Sequence, residues 1–378
     1  MVRTDLMVCD FSARSAEKSH TIEQESTALP QAQCANRVSP NTNIDELHGI
    51  LRRTFSAFAI RGTSLNTDAQ RPIIAVGDLV WDVLAKPDTI LLPGGDTTGR
   101  IALAPGGSAA NVAAWIARVG QPAGFVGKVG ADVFGDLVVA DLDREGVRVH
   151  VTRTADHDTG VILVMIDGAG QRSMVTNQGA DFHLLPEDLP EAVLQSCAHV
   201  HITAWSLFTE PPRAAALRAA QIAKAAGATV SFDPASYQMI RELGHDKFAR
   251  ITADLPVDIL FPNRDEGQAL TGERDPQAIA QELRERYNGA IIALKLDRDG
   301  CFILAKGHAQ HYPTGDGSAL DATGAGDAFD ATFLAHFLRS GDLAKAAQFA
   351  NDIGSWVVAR YGARPPVDAE LRELISRY

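Results

Sequence analysis

Ile73-Ile74-Ala75-Val76-Gly77-Asp78 is an unbroken apolar run closed by a glycine and a carboxylate. A strand buried on both faces reads this way, because neither face needs polar alternation. The pattern recurs at Phe125-Val126, Val200-His201-Ile202, Thr229-Val230-Ser231-Phe232, Ile259-Leu260-Phe261 and Ile291-Ile292-Ala293-Leu294. Helical patterns fill many of the gaps, at Ala109 to Val119, Phe134 to Glu145, Pro211 to Ala226 and Pro276 to Tyr287. This alternation predicts an α/β fold: a doubly wound, mostly parallel sheet with helices on both faces. Ligands of such folds sit beyond the carboxyl ends of the strands. Residues 83–104 and 147–177 break the alternation with β-like segments and no helix between them. They predict a small antiparallel β lid over the site, within a single domain spanning 71–378.

Residues 1–70 read differently. They are rich in Ser, Thr, Asn and Gln, with eight acids against seven bases and no sustained periodicity. An organellar transit peptide would be acid-poor, so the expectation is a mostly disordered N-terminal extension. The whole chain has 378 residues, 46% of them hydrophobic, and a net charge of −12. Such a balance argues against nucleic-acid or anionic-membrane partners. Cys9, Cys34, Cys197 and Cys301 show no metal-ligand spacing, and no apolar run is long enough to span a bilayer. A cytoplasmic, soluble protein is expected.

Near the end stands Asp321-Ala322-Thr323-Gly324-Ala325-Gly326-Asp327-Ala328-Phe329, small residues leading into an apolar helix. The first N–H groups of a helix lack intrahelical partners and face outward with the positive dipole end, a place that suits a phosphate. A carboxylate there is explained as a base that takes a proton from an attacking hydroxyl. The same residues would also serve a plain turn with Asp327 as the helix cap. Gly106-Gly107-Ser108-Ala109-Ala110-Asn111 opens another helix. It suits a hydroxyl-rich ligand, or a cap formed by Ser108. Asp78 and Asp82, just past the first strand, could accept from sugar hydroxyls or be solvated turn residues. Asn263 and Glu266, three apart on a helix start, could organise the waters of Mg²⁺, and are equally an ordinary helix N-terminus. No P-loop and no dinucleotide fingerprint is present. His199 and His201 are read as strand positions of which one faces the core.

Taken in order, these segments resemble the ribokinase/PfkB carbohydrate kinase family over roughly residues 72–367. The resemblance implies a ribokinase-like fold and an ATP-dependent kinase acting on a sugar hydroxymethyl group. Asp327 matches the catalytic base, and Gly324, Ala325 and Gly326 match the anion hole. Sugar contacts would fall on Asp82, Gly107 and Asn111, with Asp78 beside them. ATP contacts would fall on Asn263, on the loop from Lys295 to Gly300, on Gly326 and on Asn351, with Glu266 acting on Mg²⁺ through water. Asp321 and Thr323, with backbone around Val357, Arg360 and Gly362, match a monovalent-cation site of the K⁺ type. Two departures stand out: Asp297 replaces a usual glycine, and Ser108 replaces the lysine of ribokinases, which makes the segment closer to fructokinases and ketodeoxygluconate kinases. A nucleoside kinase of the same family and a non-catalytic sugar-sensing relative are the alternatives. The lid could also pair with a second copy.

Overall fold

A computed structural model of the chain describes residues 71–167, 172–315 and 319–378. The extension expected at 1–70 lies outside the described residues. In chain order the strands are β1 (Ile73–Val76), β2 (Val80–Pro87), β3 (Gly99–Gly106), β4 (Ala123–Gly130), β5 (Arg148–Thr154), β6 (Val161–Ile166), β7 (Arg172–Thr176), β8 (His199–Thr203), β9 (Thr229–Asp233), β10 (Ile259–Leu260), β11 (Ile291–Lys295), β12 (Cys301–Ala305) and β13 (His308–Tyr312). The helices that matter most for the site are α1 (Ser108–Arg118), α2 (Val133–Arg144), α3 (Pro212–Ala225), α4 (Arg264–Thr271), α5 (Pro276–Arg286), α6 (Ala325–Ser340) and α7 (Leu343–Val358).

The main sheet runs β13-β12-β11-β10-β9-β8-β1-β4-β5. It is parallel from β5 through β11, and β12 and β13 close one edge antiparallel. Every residue of β1 is buried, as its unbroken apolar run requires. One apolar cluster joins α1, α6 and α7 to one face, and a second joins α3 and α5 to the other. Trp115 of α1 meets Trp356 of α7 edge-on, with ring centroids 6.0 Å apart, and its indole N–H donates to the Ala363 carbonyl at 3.0 Å. Each fully buried side chain of this size contributes about 1.5–3 kcal/mol. The same apolar cluster packs α1 against α6, with the N-terminus of α1 beside Asp78 at the carboxyl end of β1.

The small sheet runs β3-β2-β6-β7. It consists of two antiparallel pairs joined through a parallel β2–β6 contact. The lid boundary read from sequence needs correcting, because residues 148–154 form β5, which pairs with β4 in the main sheet. That stretch is half exposed because it is an edge strand, and no helix separates it from β6, which is why it resembled its neighbours. The histidine reading also changes. Positions two apart on a strand share a face, and His199 and His201 are both fully buried, bonded to Thr229 and Ser231 of β9.

Candidate active site

The carboxyl ends of β1, β9 and β11 meet the N-termini of α1 and α6. Gly324 precedes α6 with φ 71°, and a Cβ there would stand 2.4 Å from Ala363 Cβ. Only glycine combines that left-handed turn with so close an approach. Asp321 braces the turn: Oδ1 accepts from Thr323 N at 2.9 Å and Thr323 Oγ at 2.6 Å, and Oδ2 accepts from Gly362 N at 2.9 Å. Asp321, Thr323 and Gly362 are thus brought together. Arg360 N donates to the Val357 carbonyl at 2.9 Å, while the Arg360 side chain lies over Trp356 and pairs with Asp368 and Glu370.

Asp327 lies in the first turn of α6, and no side chain caps that helix. Its carboxylate is held by α1, where Ser108 Oγ donates to Oδ1 at 2.5 Å and Asn111 Nδ2 to Oδ2 at 2.8 Å. Ser108 and Asn111 are three apart and so share one helix face. Burial pushes the Asp327 carboxyl up to about 7, against the pull of those two donors. The plain-cap alternative does not describe this aspartate. Its side chain is spent on α1, not on its own helix.

Asp78 takes the capping role that Ser108 could have filled. Its Oδ2 accepts from Ser108 N at 2.7 Å and its Oδ1 from Ala109 N at 3.0 Å. Gly107, at φ 98°, is required by backbone, since a Cβ would stand 2.4 Å from the Asp78 carbonyl oxygen. Asp82 differs from Asp78: its Oδ1 is buried without a hydrogen-bond partner. The Asp82 carboxylate lies against Gly106, where a Cβ would come within 2.4 Å of Oδ1. Burial and then the charge of Asp78 raise its pKa to about 6. Asn111 Oδ1 is likewise buried and unpartnered. An unsatisfied buried acceptor is costly, and hydroxyl donors on a ligand are what would satisfy it.

After β10, Asn263 caps α4 in a reciprocal box with Glu266. Glu266 Oε2 accepts from Asn263 N and Oε1 from Asn263 Nδ2, both at 2.8 Å. Glu266 is 2% exposed, and burial followed by the charge of Asp233 raises its pKa to about 8. Lys295, at the end of β11, bonds to Asp233 at 2.9 Å and Asp330 at 3.0 Å. Gly300 and Asn351 converge on one backbone segment. A Cβ on Gly300 would stand 2.1 Å from the Tyr312 carbonyl oxygen, to which Asn351 Nδ2 donates at 2.9 Å. Asp297 has φ 55°, a backbone conformation that explains why glycine would be expected there.

The sequence reading missed Asp233 and Asp330. Asp233 ends an apolar strand just as Asp78 follows one, and Asp330 interrupts the buried stripe of α6 one turn after Asp327. Either signal would have found them.

The profile of the pfkB family carbohydrate kinases matches residues 70–370. The ATP-dependent ribose-1-phosphate kinase of Halopiger xanaduensis is 34% identical over 310 residues, covering 81% of this chain and 99% of that protein. The fructokinase of Klebsiella pneumoniae is 32% identical, covering 72% of this chain and 89% of its own length. Among solved structures, a putative ribokinase II from E. coli in complex with ATP and Mg²⁺ superposes with a TM-score of 0.71 at 26% identity, over 82% of this chain and all of the other. The adenosine kinase of Sinorhizobium meliloti gives a TM-score of 0.72 at 25% identity, over 82% of this chain and 98% of that one.

Proposed function

The chain belongs to the pfkB family of carbohydrate kinases, and from that premise we propose that it transfers the γ-phosphoryl group of ATP to a hydroxymethyl group of a sugar or sugar acid, with Asp327 as general base. The observation that carries this reading is a carboxylate placed at the N-terminus of an uncapped helix and tuned to about pH 7. A base near the working pH both exists ionised and accepts a proton readily.

In the proposed mechanism the sugar lies between Asp82, Asn111 and Asp327. Asp327 takes the hydroxyl proton as the oxygen attacks in line, and the backbone N–H groups of 324–327 receive the charge on the transferring group. Ser108 and Asn111 hold both carboxylate oxygens, so the base meets the hydroxyl in one orientation. The small sheet is read as a lid that excludes water, with β2 carrying Asp82. Its exposed Ile101, Leu103, Met174 and Val175 suit pairing with a second copy.

Among the described residues no group of three or more metal-ligating side chains converges. Mg²⁺ is usually held by phosphates, waters and one or two carboxylates, and Glu266 fits that need. Each of its oxygens uses one acceptor position within the box, and a cation nearby would favour the ionised carboxylate against the burial that raises its pKa. Bound there, Mg²⁺ would neutralise phosphate charge. Asp321, Thr323 and the carbonyls around Val357, Arg360 and Gly362 would hold K⁺ and keep the Gly324 turn in place.

Two relatives keep neighbouring substrates in view, since one is named for ribose 1-phosphate and a structural neighbour for adenosine. The test is ATP consumption against fructose, ketodeoxygluconate, ribose, ribose 1-phosphate and adenosine. Turnover with a sugar or sugar acid supports the proposal. Turnover with adenosine alone replaces it with a nucleoside kinase, and binding without turnover across the panel replaces it with a sensor.

A further inference from the structure

Lys295 is enclosed by acids, yet its ammonium is not used up. An ammonium has three N–H donors. One goes to Asp233 Oδ2 at 2.9 Å and one is shared by the two oxygens of Asp330 at 3.0 and 3.3 Å. The side chain keeps 13% exposure, whereas that of Asp330 has none. The ammonium also borders the anion hole directly. A Cβ on Gly326 would stand 3.4 Å from Lys295 Nζ, and among the described residues nothing else outside the helix's own backbone comes within 4 Å of that point. The absence of a side chain at Gly326 leaves the third donor a clear approach to whatever the first turn of α6 receives.

We propose that Lys295 is a catalytic residue whose third N–H donates to a γ-phosphoryl oxygen seated beside Gly326, with Asp233 and Asp330 as positioning residues that hold the ammonium there. This rests on the kinase reading above and adds to it a side-chain donor beside the backbone ones. The two acids do more than balance charge. They come from different elements, the end of β9 and the first turns of α6, so the ammonium is fixed relative to the helix that carries Asp327. Asp233 is held below the usual carboxylate range mainly by the Lys295 charge working against burial, while burial keeps Asp330 well above it. The contribution of the ammonium is a donor aimed in advance by two fixed acceptors. Removing one such donor elsewhere costs about 10²–10³ in turnover.

Lys295→Met alone would strand two buried acids, so the test uses the triple variant Asp233→Asn, Lys295→Met, Asp330→Asn, which replaces all three ionisable groups at similar volume. The full chain would be compared with wild type by calorimetric titration with ATP and with ADP, and by steady-state kinetics. The expected result is a folded protein whose kcat falls about 10²-fold. ATP affinity should drop about tenfold, while ADP affinity and sugar KM stay within about twofold, because the lost donor serves only the γ position. Wild-type kcat in the triple variant, or equal losses of ATP and ADP affinity, would overturn the assignment and leave the kinase reading intact. Absence of ATP consumption by the wild-type chain with every sugar overturns both.

Discussion

Asn111 Nδ2 donates to Asp327 Oδ2 at 2.8 Å, joining α1 to the first turn of α6 across 216 residues of chain. With Ser108 on the other oxygen, it makes the environment of Asp327 a contest between burial and hydrogen bonding. Burial wins, and the group titrates at about 7. In the proposed mechanism the ionised form is the base, so kcat/KM should fall as pH drops through about 7. Ser108→Ala removes a donor that favours the ionised form. The acid limb should then move to higher pH, by up to about one unit for about 1.4 kcal/mol of lost stabilisation. A limb that stays in place or moves to lower pH contradicts this reading of the contest.

Asp82 and Gly106 form a second testable pair. Asp82→Ala should raise sugar KM about tenfold or more and leave ATP KM near wild type, since in the proposed mechanism the acceptor it removes serves only the sugar. Gly106→Ala should mimic it, because the new methyl would occupy the space of the Asp82 carboxylate at 2.4 Å. If Gly106→Ala leaves sugar KM unchanged while Asp82→Ala raises it, the packing argument fails.

Asp297 carries its cost in the backbone. A left-handed conformation at a non-glycine residue costs about 1–2 kcal/mol, part of which a glycine recovers. Asp297→Gly should therefore stabilise the protein by up to about 1 kcal/mol in denaturant unfolding, with ATP KM unchanged or lower. A higher ATP KM would mean that the carboxylate assists the nucleotide.

Much of the fold was legible because its strands are buried on both faces, and such strands announce themselves as unbroken apolar runs. The edge strand β5 was not, since half-exposed edge strands and the strands of the small sheet share one pattern. In the site, glycines forced by backbone geometry and carboxylates at strand ends stood out in sequence. What each carboxylate is bonded to did not. Asp78 and Asp82 look alike in the sequence, yet one caps a helix and the other has a buried oxygen without a partner. Lys295 read as a nucleotide contact, and only its distances to Asp233 and Asp330 reveal how its donors are divided. Pairings across more than two hundred residues leave no local signature.

The central claim concerns Asp327, and Asp327→Asn tests it most directly because the amide keeps the shape and removes the base. Folding raises the Asp327 pKa from 3.8 to about 7, so the folded state binds its proton more tightly and stability falls as pH rises between these values. At pH 8 the variant should melt no lower than wild type, which separates lost chemistry from lost structure. The account predicts that kcat falls about 10²–10⁴-fold while calorimetry still detects sugar binding. Turnover near that of the wild type would contradict it.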